Sequence, residues 1–246
     1  MSIVVEDYHK HYGETVAVAG ITFTVAAGEI LGLVGPNGAG KTTTLRALAG
    51  ILTPTRGRLS VAGHDLAREP VAAKAALAYV PDDPRLFDQL TVWEHFVFVA
   101  GAYRLDGDWQ ARAEELLVRF ELVEKRDALA SDLSRGMRQK VAIGCGYLHQ
   151  PKAILLDEPL TGLDPIGIRN MRSTIIRRAE AGSAVLLSSH LLHLVEEVCT
   201  RVLVLVAGQA AAFGTLEDIV AGRPELAGRP LEEVFLRLIG RDGASS

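Results

Sequence analysis

The chain has 246 residues, 48% of them hydrophobic, so it can bury a sizeable core in one large domain or two small ones. Its formal net charge of −4 argues against a general nucleic-acid binder. No apolar run approaches the roughly 18 residues of a membrane span, and the N-terminus lacks the basic and apolar regions of a signal peptide. Cys145 and Cys199 lie in apolar helical contexts. We expect them to be buried free thiols of a reducing compartment.

Three strands are predicted before residue 35. Residues 3–8 predict a strand, and residues 21–25 alternate apolar and polar side chains, which is typical of a half-exposed antiparallel strand. Residues 30–34 are apolar throughout and predict a buried strand. Tyr12 lies in a His-Tyr-Gly loop, where an aromatic ring can stack on a nucleotide base or be an ordinary loop residue.

The next stretch matches the phosphate-binding motif G-x-x-x-x-G-K-[ST]. An apolar strand leads in and a helical run over residues 43–49 leads out, which is the context that such a loop needs. The alternative is a glycine-rich turn without a ligand. Successive backbone N–H groups and the helix N-terminus favour phosphate. The candidate binding residues are Gly35, Pro36, Asn37, Gly38, Ala39, Gly40, Lys41, Thr42 and Thr43.

Strands are then predicted at residues 59–62 and 77–80, and Asp82 follows in an acidic loop between two prolines. Without a functional role, that loop would be an ordinary charged turn. Thr91 and Glu94 have the spacing of a capping box. The helix after them has a broad apolar face that includes Val97, which predicts burial on two sides, either within the fold or against a partner. With a second amphipathic helix over residues 109–120, these elements predict a helical insertion at 84–150.

Residues 153–158 predict a buried parallel strand that ends in two acids, Asp157 and Glu158. Ligands bind at the carboxyl ends of such strands, and two acids there are costly unless they meet a cation or a reacting group. Before this strand, Ser134 can be the N-cap of an apolar helix. After it we expect a helix over 165–181, a strand over 185–188, and then His190, a residue type that is most often structural in this position.

A last strand is predicted at residues 202–206, followed by short helices near 216–220 and from residue 231. Apolar residues of the final helix recur with helical spacing, which indicates a one-faced docking helix. They are Leu231, Val234, Phe235, Leu238 and Ile239.

Taken together, these motifs resemble the nucleotide-binding subunit of ATP-binding cassette (ABC) transporters over nearly the whole chain. The order is an aromatic loop, Walker A, a Q-loop position, a Leu-Ser-x-Gly-Met-Arg-Gln signature, Walker B, a D-loop and a switch histidine. The resemblance implies an α/β fold with a P-loop NTPase (RecA-like) core, an antiparallel β subdomain and an inserted helical subdomain. It places the nucleotide-binding core at 1–83 and 151–214, the helical subdomain at 84–150 and docking helices at 215–246.

The resemblance also implies a role for each motif residue, with ATP and Mg²⁺ as cofactors. Tyr12 would stack on adenine, and Lys41 would neutralise the β- and γ-phosphates. Glu158 would act as general base or orient the attacking water, and His190 would contact the γ-phosphate. The implied Mg²⁺ ligands are Thr42, Asp157 and Asp82. The residues implied to act in trans, across a head-to-tail dimer, are Ser134, Gly136, Met137 and Asp164.

Two positions depart from the family pattern. Asp82 stands where most members have glutamine, and Arg135 replaces the first glycine of the usual Leu-Ser-Gly-Gly run. Both departures resemble the exporter branch that pairs with separate ABC-2-type membrane subunits. Because Glu158 and His190 are present, we expect a hydrolysis-competent site.

The function so predicted is an ATP-hydrolysing motor subunit of a transporter, an exporter by resemblance, at the cytoplasmic face of the cell membrane. Its expected partners are a multi-span membrane subunit and a second nucleotide-binding subunit, identical or different, and no nucleic acid. Two alternatives stay open: a nucleotide-gated regulatory module with weak hydrolysis, and a soluble ABC ATPase outside transport. The sequence does not identify the transported substrate.

Overall fold

The computed structural model describes residues 2–221, 226 and 228–240. The final residues of the expected docking region, 241–246, and residues 222–225 and 227 lie outside the described part. The strands of the described residues are β1 (Ile3–Tyr12), β2 (Thr15–Val25), β3 (Ile30–Val34), β4 (Arg56–Val61), β5 (His64–Asp65), β6 (Leu77–Val80), β7 (Ala153–Asp157), β8 (Ala184–Ser188), β9 (Arg201–Val206) and β10 (Gln209–Gly214). The helices are α1 (Lys41–Leu48), α2 (Pro70–Ala75), α3 (Val92–Ala102), α4 (Trp109–Arg119), α5 (Arg135–Leu148), α6 (Pro165–Glu180), α7 (Leu192–Val198), α8 (Leu216–Ala221) and α9 (Leu231–Leu238).

The strands form two sheets. The first is antiparallel, with the order β2-β1-β4-β5. The second has the order β10-β9-β3-β8-β7-β6, in which β10 is antiparallel to β9 and the other pairs are parallel. In this register Asp157, the last residue of β7, lies beside Ser188, the last residue of β8. The carboxyl ends of the parallel strands therefore bring several polar residues to one edge.

The parallel strands are apolar throughout because both of their faces are buried. Every residue of β3, β7 and β8 is buried. On β7, Ile154 and Leu156 pack into one core, with α3, α4 and α5, whereas Ala153 and Leu155 pack into the other, with α1 and the antiparallel sheet. The helices between residues 92 and 148 thus share a core with the sheet.

Local capping explains where two of the helices begin. Thr91 and Glu94 form the expected capping box at the start of α3: the Glu94 backbone N–H donates to Thr91 Oγ1 at 3.1 Å, and the Thr91 N–H donates to Glu94 Oε2 at 2.7 Å. These bonds hold the pKa of Glu94 below its usual value. Ser134 caps α5 as predicted, because its Oγ accepts from the Met137 N–H at 3.3 Å. Each cap satisfies a backbone donor that the helix itself leaves free.

Within the chain, α3 is buried on one side, so of the two expected alternatives burial on both sides within the fold is wrong and burial against a partner stays a prediction. Phe96 is fully buried, but Val97 and Phe98 are about half exposed. Phe98 packs instead against Phe87, with ring centroids 5.2 Å apart. Hydrophobic spacing therefore gave the buried face of this helix correctly but overestimated its width within the chain.

Several short elements have no counterpart in the sequence predictions. These are α2, β5, α7 and β10, of which β10 (QAAAFG) has neither β-branched residues nor a clear alternation. β1 and β2 also run longer than predicted. Both cysteines are free, as expected, and burial raises the pKa of Cys145 to about 12. Among the described residues, no helix combines the length and the apolarity that a membrane span requires.

Candidate nucleotide-binding site

A cavity of about 270 Å³ lies where the phosphate motif meets the end of β7. It contains the core of the motif and three carboxylates that were predicted from distant parts of the chain. Its lining is Ala17, Asn37, Gly38, Ala39, Gly40, Lys41, Thr42, Thr43, Asp82, Asp157 and Glu158.

The loop before α1 is shaped by glycine. Gly40 is the N-cap of α1 with φ of 101°, and a Cβ there would lie 2.7 Å from the Ala17 carbonyl oxygen. A side chain is therefore excluded on both conformational and steric grounds. No side chain caps α1, and no acid lies in its first turn. Its free N–H groups and positive end consequently suit an anion.

Lys41 is held by the loop that it follows. Its ammonium donates to the Gly35 carbonyl oxygen at 2.7 Å and to that of Pro36 at 3.3 Å. Burial lowers the pKa of Lys41, while the charges of Glu158 and Asp157 act in the opposite direction. The charged lysine is thus directed at the cavity by backbone oxygens and by the two acids opposite.

Ser188 fixes the two acids at the end of β7. Its hydroxyl donates to Asp157 Oδ1 at 2.6 Å, and its Oγ and carbonyl oxygen each accept from the Glu158 N–H at 3.1 Å. Glu158 adopts a left-handed backbone with φ of 50°, which is uncommon for a residue with a side chain and is held by these bonds. The turn redirects the chain after the strand.

His190 meets Glu158 from the neighbouring strand end. Its Nδ1 lies 2.8 Å from Glu158 Oε2, and its backbone N–H donates to the same oxygen at 3.2 Å. Histidine and carboxylate are therefore joined, although 32 residues separate them in sequence. The imidazole also lines a second cavity of about 390 Å³ beside Gly35, Pro36 and Asn37, whose far wall is Phe235, Leu236 and Ile239 of the α9 region.

The structure does not bring every candidate residue to this cavity. Tyr12 ends β1, about half exposed, with Lys10 Nζ 5.1 Å from its ring centroid. Asp164 is the N-cap of α6 and accepts from the Gly167 N–H at 2.7 Å. Gly136 lies at the start of α5, where a Cβ would come 3.0 Å from the Gly162 carbonyl oxygen. Ser134, Gly136 and Met137 thus lie beside the segment before Asp164, outside the lining of the phosphate cavity.

Asp82 and Arg135, the two departures from the family pattern, are in contact with each other. Arg135 Nη2 donates to Asp82 Oδ1 at 3.0 Å. Asp82 also lines an adjacent cavity with Thr42, Arg46, Arg85 and Asp157. This contact was not anticipated from the sequence.

Ser188 is the functional candidate that sequence reasoning missed. It was assigned only as the end of a buried strand. The available signal was that Ser188 is a polar residue at the end of an apolar strand. Its use required knowing that β8 lies beside β7, which ends at Asp157.

The donor set of the cavity can be compared with the needs of a magnesium nucleotide. The Thr42 hydroxyl and the Asp82 and Asp157 carboxylates are hard oxygen donors, the type that Mg²⁺ prefers. The described residues hold no group of three or more His, Cys, Asp or Glu side chains suited to an all-protein metal site. This combination fits a Mg²⁺ ion that takes a few protein oxygens and completes its shell with phosphate and water.

The chain is similar in sequence to known ATP-binding proteins. Residues 18–161 match the ABC transporter family. The chain is 32% identical to the ABC-type transporter ATP-binding protein EcsA of Bacillus subtilis, over 97% of this chain and 96% of the relative. It is 33% identical to the daunorubicin resistance ATP-binding protein DrrA3 of Streptomyces coeruleorubidus (99% and 76%) and 34% identical to the linearmycin resistance ATP-binding protein LnrL of B. subtilis (87% and 69%).

A solved structure described as the ATP-binding subunit of an ABC transporter superimposes with a TM-score of 0.92 at 35% identity, covering 97% of this chain and 99% of the other. The ADP form of the cassette MJ1267, at 23% identity and a TM-score of 0.77, supports the fold alone. Fold, motif order and relatives agree that this chain belongs to the ABC transporter ATP-binding family, whose members bind and hydrolyse ATP.

Proposed function

We propose that this chain is the ATP-hydrolysing motor of an exporter and works on a separate membrane subunit from the cytoplasmic face of the membrane. One observation carries the proposal: Glu158, whose carboxylate is paired with His190, lines a cavity that also contains Lys41 and the N-terminus of α1. A phosphate-binding loop and a paired carboxylate and imidazole are the groups that phosphoryl transfer to water needs.

Different residues of the cavity would bind the phosphates, hold Mg²⁺ and keep the acids in position. The backbone N–H groups of residues 38–42 and the Lys41 ammonium would bind the β- and γ-phosphates. Thr42, Asp157 and Asp82 would hold Mg²⁺, which when bound supplies positive charge to the phosphate oxygens. Ser188 would keep Asp157 and the Glu158 backbone in place through the three bonds described above.

Glu158 would accept a proton from the attacking water or orient it. The ring and the backbone N–H of His190 both contact Glu158 Oε2, which leaves the other carboxylate oxygen for the water. This is a positioning arrangement, and positioning with electrostatic stabilisation carries most of the catalysis in phosphoryl transfer.

The remaining candidates fit a site completed by a second subunit. Ser134, Gly136 and Met137 form the start of α5, whose free N–H groups would cover the γ-phosphate of a partner, and Asp164 would line the same interface. Tyr12, exposed at the end of β1, would stack on adenine. The proposal is a head-to-tail dimer of nucleotide-binding subunits.

Export is supported by the relatives whose names refer to drug resistance. A docking surface for the membrane subunit is supported by an aromatic patch formed by Phe87 and Phe98, which contact each other and are about half exposed. Phe87 lies in the loop that contains Asp82. Exposed apolar side chains of this kind mark interaction sites when they are contiguous.

The deciding experiment compares wild type with Glu158→Gln for ATP hydrolysis in Mg²⁺ and for mass under native conditions with ATP. We expect turnover in wild type, and in Glu158→Gln retained ATP binding, no turnover and an ATP-dependent dimer. Hydrolysis by Glu158→Gln at the wild-type rate would show that Glu158 is not the base. Copurification with a multi-span membrane protein tests the transport role.

A further inference from the structure

The loop after β6 and the start of α5 are joined by one ion pair. Arg135 Nη2 lies 3.0 Å from Asp82 Oδ1, across 53 residues of sequence. Asp82 lines the phosphate cavity, whereas Arg135 is the first residue of α5, directly after its N-cap. The pair therefore connects the wall of the nucleotide site to the helix that begins at the signature motif.

The charge of the cavity explains why Asp82 needs a partner. Among the described residues that line it, Lys41 is the one cation and Asp82, Asp157 and Glu158 are three acids. ATP adds further negative charge to the same space. Like charges repel, so an uncompensated Asp82 would oppose nucleotide binding.

Arg135 is placed to offset that charge. It is outside the lining of the cavity, so it offsets Asp82 without occupying phosphate space. Its aliphatic stem is close to Gly162, where a Cβ would lie 3.6 Å from Arg135 Cδ. The pair uses Asp82 Oδ1. Asp82 also lines the adjacent cavity that contains Arg46 and Arg85, but neither of these forms a described ion pair with it.

We propose that Arg135 is a positioning residue that acts through Asp82. It holds the carboxylate at the edge of the phosphate cavity and cancels its repulsion toward the triphosphate, so that an acid can occupy this position. The two departures from the family pattern are thus one compensated unit. The inference rests on the nucleotide site proposed above.

The chain contains a matched control one turn further along α5. Arg138 Nη1 lies 3.0 Å from Asp88 Oδ1, so it also joins α5 to the loop after β6. Asp88 does not line the phosphate cavity. Loss of this second pair removes the same charge from the same helix without leaving an unpaired acid beside the phosphates.

The test is a double-mutant cycle on ATP affinity, measured by calorimetry without membrane partner, with Arg135→Gln, Asp82→Asn, the double variant and Arg138→Gln. Affinity is measured both with Mg²⁺ and with a chelator. We expect Arg135→Gln to weaken ATP binding about three-fold at low salt, and less at high salt, because partly exposed charges are screened. In the Asp82→Asn background the same substitution should have no effect. Arg138→Gln should bind ATP like wild type.

Three results would overturn the proposal. One is an equal loss from Arg135→Gln in both backgrounds, which would mean that Arg135 acts independently of Asp82. Another is the absence of any loss. The third is an equal loss in Arg138→Gln, which would indicate a general effect of charge on α5. Lys41→Ala tests the proposed nucleotide site separately from the role of Arg135. If ATP binds this variant as tightly as wild type, the nucleotide site is not where we place it. Unfolding temperatures without nucleotide verify that each variant is folded.

Discussion

The two sides of the nucleotide cavity are built differently. On the sheet side, Asp157 and Ser188 are buried and hydrogen-bonded at the ends of parallel strands. On the helical side, Asp82 and Arg135 are paired while about half exposed to solvent. Buried polar groups in fixed networks hold one geometry, whereas exposed ion pairs contribute little each and exchange partners easily. The sheet side thus holds its polar groups in one geometry, whereas the pair on the helical side is held weakly.

The largest effect is expected on the sheet side, from Lys41→Ala. The substitution removes the one cation among the described residues that line the cavity. Hydrogen bonds from a charged donor are worth about 1.5–3 kcal/mol, so ATP affinity should fall up to about 100-fold. Titration calorimetry measures this loss, and the exposed Lys125→Ala serves as the control. Equal ATP affinity in Lys41→Ala and wild type would show that this cavity does not bind the phosphates of ATP.

A smaller effect is expected from Ser188→Ala, which removes the hydroxyl that hydrogen-bonds to Asp157 and to the Glu158 N–H but leaves both acids in the chain. Groups that orient metal-binding side chains typically change affinity or activity by about 10–100-fold when removed. We expect kcat to fall about ten-fold, with KM for ATP changed less. Ser183→Ala is the control, because Ser183 is also buried and its hydroxyl donates to the Pro151 carbonyl oxygen at 2.8 Å. An equal fall of kcat in the control would indicate general destabilisation.

The smallest effect concerns how the helical side is attached to the sheet. His149 follows α5, its Nε2 lies 3.2 Å from the Leu77 carbonyl oxygen of β6, and its ring stacks on Tyr103 at 3.9 Å. Burial lowers the pKa of His149 to about 4, and Arg178 acts in the same direction. Its Nδ1 is buried with no hydrogen-bond partner among the described residues, so a proton there would be unpaired.

The sign of the resulting pH dependence follows from this lowered pKa. Between the ordinary pKa of histidine, about 6.5, and the folded value of about 4, the unfolded chain binds more protons than the folded chain. Stability should therefore be lost as pH falls through that window. Thermal unfolding of His149→Gln should depend less steeply on pH there than wild type. Identical slopes would show that other groups dominate acid unfolding.

The sequence predicted the ends of the buried parallel strands well, because such strands have a distinctive composition. The runs at β3 and β7 are apolar on both faces. The glycines before Lys41 were also predictable, because the backbone conformation that requires glycine is local to the motif. The positions of β10 and α7 were missed, because their short sequences carry little periodic signal. The full width of the apolar face of α3 is not buried within the chain, because spacing alone does not identify which neighbours are present.

Sequence alone determined the motifs, their order and the capping residues, since these depend on residue type and on spacing within a few turns or strands. Tertiary structure decided which distant side chains meet. The bonds from Ser188 to Asp157 and to Glu158 require β7 and β8 to be neighbours, and the pair of Asp82 with Arg135 requires α5 to pack beside the loop after β6. Such contacts depend on chain topology, because no local sequence pattern determines how close two residues far apart in the sequence come in space.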